Sequence, residues 1–214
     1  MSRHLRTAAM TLGALAAAAS VLPAALLLAG PALSASAPLP SQVRQSWHGD
    51  QARVPAAQAG GRDGRGVVIA VLDSWVDRTH PDFGGRVLAG ADCVGGTCRA
   101  GQRTDQCAHG THVAWTVAAS SYGVAPGATV LPVRVLSYDA DDDDCVGTPR
   151  DVAAGVRWAT ASGARVINLS LGPDVADART STVLHKAVIE ANRAGVVVVV
   201  ASGVAAAAAA PRRR

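Results

Sequence analysis

The sequence predicts an α/β domain in which a mostly parallel sheet lies between helices on both of its faces. Apolar runs of strand length alternate along the chain with amphipathic stretches of ten or more residues, which is the pattern of βαβ units. Hydrophobic residues make up 49% of the chain and aromatic residues only 3%, so the core must be built from Val, Leu, Ile and Ala. Such residues suit buried parallel strands under helices, and 214 residues are enough for one domain.

Four strands and three helices account for the regular part of this prediction. Largely apolar runs predict the strands, at residues 67–72, 129–136, 166–171 and 196–201. Helical spacing of apolar side chains predicts the helices, at residues 110–119, 149–162 and 182–194. The last helix carries an apolar stripe of Val183, Leu184, Ala187, Val188 and Ala191.

Two stretches depart from this regularity. Pro132 falls inside the second strand and therefore predicts a weak point or a sheet edge there. Residues 38–65, between the leader and the first strand, are rich in Pro, Gln, Gly and Arg. We expect them to be irregular, with one helical turn near Ala56.

The N-terminus predicts an export signal over residues 1–37. Positive residues at the start precede an uncharged apolar run over residues 8–30, and small residues follow up to Ala37. Pro38 makes a cut after Ala37 awkward, so a cut after Ser34 is the alternative. An uncleaved membrane anchor is the rival interpretation, but Pro23 and the alanine-rich composition disfavour a permanent helix. The protein is therefore expected to be secreted.

The charge excludes one class of partner. The formal charge is +4, and Arg3 and Arg6 of the leader contribute two of those charges, which leaves 4 − 2 = +2. So small an excess does not support binding to nucleic acid.

The four cysteines all follow the leader and predict two disulfides in an exported chain. Four cysteines allow three pairings, and loop length favours Cys93–Cys98 and Cys107–Cys145. A zinc site is the alternative, although the spacings contain no CxxC pair.

Asp73 and His109 are the first candidates for chemistry. Asp73 directly follows the first predicted strand, and ligands of open α/β sheets bind beyond the carboxyl ends of strands. His109 lies at the start of a predicted helix and has a side chain suited to proton transfer near neutral pH. An imidazole in that role needs a carboxylate to fix its tautomer, and Asp73 is the candidate. His109 and His112 as metal ligands are the rival, without an HExxH pattern to support them.

Several blocks of this sequence resemble, in order, those of the subtilisin-like serine proteases (subtilases) of the secreted bacterial type. The resemblance runs from about residue 66 to residue 203. The blocks are residues 68–74 (VIAVLDS), 79–83 (THPDF), 109–114 (HGTHVA), 123–128 (GVAPGA), 166–172 (VINLSLG) and 195–203 (GVVVVVASG).

The resemblance implies a subtilisin-like fold and peptide-bond hydrolysis by an Asp/His/Ser triad. Asp73 would orient His109, and His109 would act as the general base toward a serine. The backbone of Ser170, Leu171 and Gly172 would pair with an extended polypeptide substrate, with Gly147 on the opposite wall. The resemblance implies a monomer without a cofactor.

The sequence departs from the family pattern at the nucleophile. No Gly-Thr-Ser-x-Ala block exists in the 214 residues, and neither Ser181 nor Ser202 lies in a glycine-flanked turn into a helix. Val204 stands where the family has the oxyanion Asn; in subtilisin itself, losing that donor is known to cost about 10²–10³ in rate. We therefore expect an inactive, C-terminally truncated catalytic domain over residues 66–204 and a low-complexity tail over 205–214. A non-catalytic peptide-binding remnant is the alternative.

Three further expectations concern local structure. Trp115, where the family has glycine, predicts strain of about 1–3 kcal/mol in a packed helix, whereas Trp75 is expected to be tolerated in a loop. The Asp-rich run at residues 139–144 predicts a solvated loop, with a structural Ca²⁺ site as the alternative. The fourth strand is expected to expose apolar surface. A nucleotide-binding domain is disfavoured, since the glycines at residues 61–66 precede the first strand.

Overall fold

A computed structural model describes residues 47–141, 143–172 and 182–201 of the chain. The predicted export signal, Ser181, Ser202, Val204 and the Ala/Arg tail lie outside the described residues. No helix among the residues described is long and apolar enough to cross a membrane.

A six-stranded sheet forms the centre of the fold. Its strands are β1 (Val68–Asp73), β2 (Ala91–Asp92), β3 (Arg99–Ala100), β4 (Thr129–Arg134), β7 (Val166–Leu169) and β8 (Val197–Val200), and a separate hairpin contains β5 (Ser137–Asp139) and β6 (Asp144–Val146). The strands of the sheet lie in the order β3-β2-β4-β1-β7-β8. All neighbours pair in parallel except β3, which runs antiparallel to β2. The predicted mostly parallel sheet is confirmed.

Helices cover both faces of the sheet, as predicted. One core contains residues of β1, β4 and β7 together with α4 and α5, and the other contains α3 and the loops after β1. The helices are α1 (Trp47–Gln51), α2 (Val54–Ala59), α3 (His109–Ala118), α4 (Pro149–Ala161) and α5 (Thr182–Arg193), with a single 3₁₀ turn at Pro81–Phe83. The helix predicted near Ala56 is α2, and α1 before it was not predicted.

The start of α4 shows why this sequence forms a helix at that point. Thr148 accepts a hydrogen bond from the backbone N–H of Asp151, and the Asp151 side chain accepts one from the backbone N–H of Thr148. This capping box satisfies donors that a helix start leaves unpaired. Gly155 then allows a close approach to β4, since a Cβ at that position would lie 2.6 Å from Cγ1 of Val135. The helix is thereby fixed against the strands that end at the candidate site.

Of the two alternatives predicted for Pro132, the sheet edge is wrong and the weak point is found, because pairing on the β2 side is interrupted between Val130 and Val133. Pro132 lies in β4, between β2 and β1, and is opposite Val71 in the parallel register. The N–H of Val130, two residues earlier, donates to Arg86 on the β2 side, so the missing N–H of Pro132 faces that same side. There the neighbouring residue is Gly90, which comes so close to the proline that no Cβ would fit, and β2 pairs only from Ala91 onward. No ladder hydrogen bond is lost.

The Asp-rich run contains the exposed turn of a hairpin, so the predicted solvated loop is found at Ala140, Asp141 and Asp143, between β5 and β6. Strands β5 and β6 pair antiparallel, and Tyr138 donates its hydroxyl hydrogen bond to Asp143 at 2.7 Å. The run lacks the apolar alternation of a half-buried strand, so no pattern indicated the hairpin. Both predicted disulfides, Cys93–Cys98 and Cys107–Cys145, are present, and the second joins the hairpin to the segment before α3. The zinc alternative is excluded because these thiols are bonded to one another.

Strand β8 exposes apolar side chains at the edge of the described sheet. Val197, Val199 and Val200 are 58%, 49% and 53% exposed. The stripe predicted on α5 is only partly buried, because Ala187 and Ala191 are buried while Val183 is exposed. Strand edges with exposed valines are templates for pairing with another chain.

We predict that the 214-residue chain self-associates through β8. The double substitution Val197→Lys and Val199→Lys should shift the protein from aggregates to monomer in size-exclusion chromatography with light scattering, since lysines on an edge strand oppose pairing. Val183→Lys is the matched control, because it also charges an exposed valine but lies on α5. Equal improvement by the control, or none by the double variant, would contradict edge pairing.

Candidate active site

The structure brings Asp73 and His109 into contact at the carboxyl end of the sheet. Asp73 is the last residue of β1 and is fully buried, and His109 is the first residue of α3. Nδ1 of the imidazole lies 2.8 Å from Oδ1 of the carboxylate, across a sequence separation of 36 residues. The His109 side chain is 46% exposed, so the ring faces solvent beside its buried partner.

The carboxylate of Asp73 is held by its own backbone surroundings. Its Oδ1 accepts a hydrogen bond from the backbone N–H of Ser74 at 2.7 Å. Its carbonyl oxygen accepts hydrogen bonds from the N–H groups of Val135 and Leu136, directly after β4. Asp73 therefore has a fixed orientation when it meets the imidazole, which is what orienting a proton-transfer group requires.

Ser74 is a site residue that sequence reasoning missed. Its hydroxyl oxygen accepts a hydrogen bond from the backbone N–H of Gly110 at 2.8 Å, so the residue after Asp73 caps the helix that begins at His109. Gly110 is needed for this contact, because a Cβ there would lie 2.7 Å from the carbonyl oxygen of Ser74. The one available signal was the pair itself, a serine after a strand-terminal aspartate and a glycine in the first helical turn.

The arrangement leaves one nitrogen of His109 available for chemistry. An Asp73 carboxylate only accepts hydrogen bonds, so the facing Nδ1 carries the proton. In the neutral ring the Nε2 then carries the lone pair and can take a proton from a neighbouring group. Among the described residues Nε2 of His109 has no hydrogen-bond partner, so the pair has the geometry in which an imidazole can accept a proton.

The predicted peptide-binding residues lie at the same edge of the sheet. β7 pairs with β1, and Asn168 is opposite Val71 in the parallel register. Ser170 comes two residues after Asn168 and Asp73 two residues after Val71, so both lie at the carboxyl ends of these strands. Asn168 donates a side-chain hydrogen bond to the Ser170 hydroxyl at 2.9 Å, and Leu171 packs against the larger core. Within the described residues, the backbone of Ser170, Leu171 and Gly172 makes no hydrogen bond. These groups are free to pair with an added strand.

Gly147 lies between β6 and α4 and is exposed. A Cβ there would lie 2.3 Å from the carbonyl oxygen of Val135, so only glycine fits against the end of β4. His112, the rival metal ligand, lies on α3, and no group of three or more His, Cys, Asp or Glu side chains in the described part of the chain could hold a metal ion.

The strain predicted for Trp115 is not found. The indole is only half buried; it stacks on Tyr122 at a centroid distance of 5.1 Å and donates from Nε1 to Oδ2 of Asp82 at 2.7 Å. The indole therefore packs against the edge of the core beneath α3 and not within it. Trp75 is also accommodated, because its Nε1 donates to the carbonyl oxygen of Asp105 at 2.9 Å.

The ionisation of Asp82 makes the stability of the fold depend on pH, and the direction of its pKa shift gives the sign of that dependence. Burial raises the pKa of this carboxyl, but hydrogen bonds from Ser121 and Trp115 outweigh it, so the pKa lies below its ordinary value. A carboxyl with a depressed pKa in the folded state stabilises the fold above its unfolded-state pKa, and that stability is lost as the pH falls through the folded-state pKa.

We predict that Asp82→Asn makes the free energy of unfolding depend less steeply on pH in the acid range. The parent should lose stability from about pH 4 downward, near the ordinary carboxyl pKa, whereas the variant should be less stable at pH 7 and lose less on acidification. Urea unfolding at several pH values measures both slopes. Equal slopes for parent and variant would show that Asp82 does not contribute.

Comparisons with known proteins identify the family of this chain. The Subtilase family model matches residues 64–208. Alkaline serine exoprotease A of Vibrio alginolyticus is 41% identical over 136 residues, covering 63% of this chain and 23% of that protein. Subtilisin E of Bacillus subtilis (strain 168) is 37% identical over 143 residues, covering 64% of this chain and 35% of its own length. The crystal structure of a cold adapted subtilisin-like serine proteinase superposes with a TM-score of 0.56 at 38% identity, covering 66% of this chain and 48% of that one.

The parallel sheet with its helices and the match to the family model agree on the class of protein to which this chain belongs. The chain belongs to the subtilase family, the subtilisin-like serine proteases. It spans only about a quarter to a third of the length of these curated relatives and about half of the solved structure.

Proposed function

We propose that this chain supplies the Asp–His half of a subtilisin-like serine endopeptidase site and one wall of its peptide-binding cleft. The observation that carries the proposal is the 2.8 Å contact between Nδ1 of His109 and Oδ1 of Asp73, at the edge where β1 and β7 end. In the proposed reaction His109 takes the proton of a serine hydroxyl and Asp73 stabilises the imidazolium that forms.

We further propose that Ser170, Leu171 and Gly172 bind an extended polypeptide as an added strand. Their backbone groups make no hydrogen bond to the rest of the described chain, which supports this because strand addition obtains its affinity from main-chain hydrogen bonds. Gly147 would form the opposite wall. The chain would act as a monomer without a cofactor once its β8 edge is covered, and a Ca²⁺ ion at the Asp-rich hairpin would be structural.

The 214 residues contain no nucleophile block of the family, so they are proposed to bind peptide without cleaving it. An acyl-enzyme requires a serine held within hydrogen-bonding reach of the base. Peptide capture without turnover is therefore the proposed property of this polypeptide, and hydrolysis is the proposed property of the site once a serine is supplied.

The proposed location is outside the cell. The apolar leader of residues 8–30, bounded by positive and small residues, supports export. A relative from Thermus sp. (strain Rt41A), 40% identical over 135 residues, carries the name extracellular serine proteinase.

A serine-directed fluorophosphonate probe and a peptide titration together test the proposal. The 214-residue chain should not be labelled by the probe, and it should bind an extended peptide saturably without releasing fragments. A peptide with N-methylated backbone amides is the matched control, because it cannot donate to the edge strand. Labelling of the chain, or equal binding of both peptides, would contradict the proposal.

A further inference from the structure

Arg134 links two carboxylates from different parts of the chain. Its Nη1 donates to both side-chain oxygens of Asp92 at 3.1 and 2.9 Å, and its Nη2 donates to Oδ2 of Asp105 at 2.5 Å. The Arg134 side chain is only 8% exposed, so these contacts are shielded from water. One guanidinium therefore joins β4 to β2 and to the segment that leads into α3.

Asp105 in turn makes three further hydrogen bonds that fix that segment. Its Oδ1 accepts from the backbone N–H of Cys107 at 2.9 Å, and its Oδ2 accepts from the backbone N–H of Tyr138 at 3.2 Å. Its carbonyl oxygen accepts the indole N–H of Trp75. Burial raises the pKa of Asp105, but the hydrogen bonds from Arg134 and from the two backbone groups outweigh it, so the pKa lies below its ordinary value. The side chain is thus held as a carboxylate.

We propose that Asp105 and Arg134 are positioning residues for His109. Asp105 precedes His109 by four residues, and Arg134 lies opposite Asp73 in the parallel register of β1 and β4. The ion pair therefore connects β4, at the position opposite Asp73, to the segment that leads into His109. The inference rests on the proposed function, since it assigns these residues to the orientation of the proposed base.

A purely structural role would give a different pattern of effects. Among the described residues, Asp92 shares the same arginine but makes no hydrogen bond to residues 101–108, whereas Asp105 belongs to that segment. Asp105→Asn replaces one carboxylate oxygen by an NH2 donor, so either the Arg134 and Tyr138 donors or the Cys107 N–H lose their acceptor. Leaving such buried donors unpaired weakens the attachment of the segment without removing its volume.

The test measures the proton on Nδ1 of His109 in the full 214-residue chain. Its resonance in ¹⁵N-labelled protein is assigned by its loss in His109→Gln, and its exchange rate with water is measured well below the melting temperature of each variant. Asp105→Asn should speed the exchange by about tenfold or more. Asp92→Asn should change it less than about twofold, and so should Glu190→Gln, which breaks the surface pair of Glu190 with Arg157.

Two results would overturn the inference: an unchanged exchange rate in Asp105→Asn, or an equal acceleration in Asp92→Asn. Should Asp105→Asn not fold, Arg134→Lys replaces it, because a lysine keeps the charge but not the fork that contacts both carboxylates. Absence of the Nδ1 resonance in the parent protein would instead contradict the hydrogen bond between Asp73 and His109, and with it the proposed function.

Discussion

Replacing Cys107 and Cys145 by serine should lower the free energy of unfolding by about 4 kcal/mol, as expected for release of a loop of this length. The bond closes a sequence separation of 38 residues, and it joins the β5–β6 hairpin to the segment two residues before His109. In the chain-entropy account, a longer closed loop restricts the unfolded chain more and so stabilises the fold more. Urea unfolding of the oxidised parent and of the double variant measures the difference.

The other disulfide is the control for this prediction. Cys93 and Cys98 are separated by only 5 residues, so their replacement by serine should cost about half as much, near 2 kcal/mol. The ratio of the two losses therefore tests the explanation by loop length. A larger loss from the short loop would contradict it.

Replacing Arg134 by methionine should be comparably damaging, with a loss of about 3–5 kcal/mol, because it leaves Asp92 and Asp105 as buried carboxylates without their cation. Both side chains are at most one-fifth exposed, so water cannot readily replace the guanidinium. Methionine keeps much of the side-chain length, which separates the loss of charge from the loss of volume. Thermal and urea unfolding at neutral pH measure the effect.

Arg157→Met is the matched control, since it also removes an arginine from an ion pair with a carboxylate. That pair, with Glu190, joins α4 to α5 at the surface, where its side chains are 44% and 56% exposed. Exposed pairs contribute little, so the loss should stay within about 1 kcal/mol. Similar losses from the two substitutions would show that burial is not what makes the Arg134 contacts strong.

The contact between Asp73 and His109 was predictable because each residue lies at the end of an element with a clear pattern. An apolar run ends at Asp73 and a helix begins at His109, and the geometry of parallel sheets brings such ends together. Ser74 and Asp105 act through contacts across 36 and 29 residues that no local pattern encodes. These contacts can be identified only from the folded structure, in which the loops bring the residues together.

Other differences have local causes. Pro132 is tolerated in the middle of the sheet because the neighbouring strand β2 is too short to need its N–H. Trp115 was expected to crowd a helix, but its ring extends outward onto Tyr122 and Asp82. In both cases the sequence showed what the residue type requires, which is a position without an N–H partner for proline and space for tryptophan. It did not show which neighbours in the folded chain meet that requirement.

The Nδ1 proton of His109 provides the most direct measurement of the central claim, that Asp73 and His109 form an oriented pair. The parent chain should show a low-field, slowly exchanging Nδ1–H resonance, and Asp73→Asn should abolish it while Asp77→Asn, on the loop that follows β1, should not. The same spectrum in parent and Asp73→Asn would mean that the two side chains do not meet in solution, contrary to the structure described here.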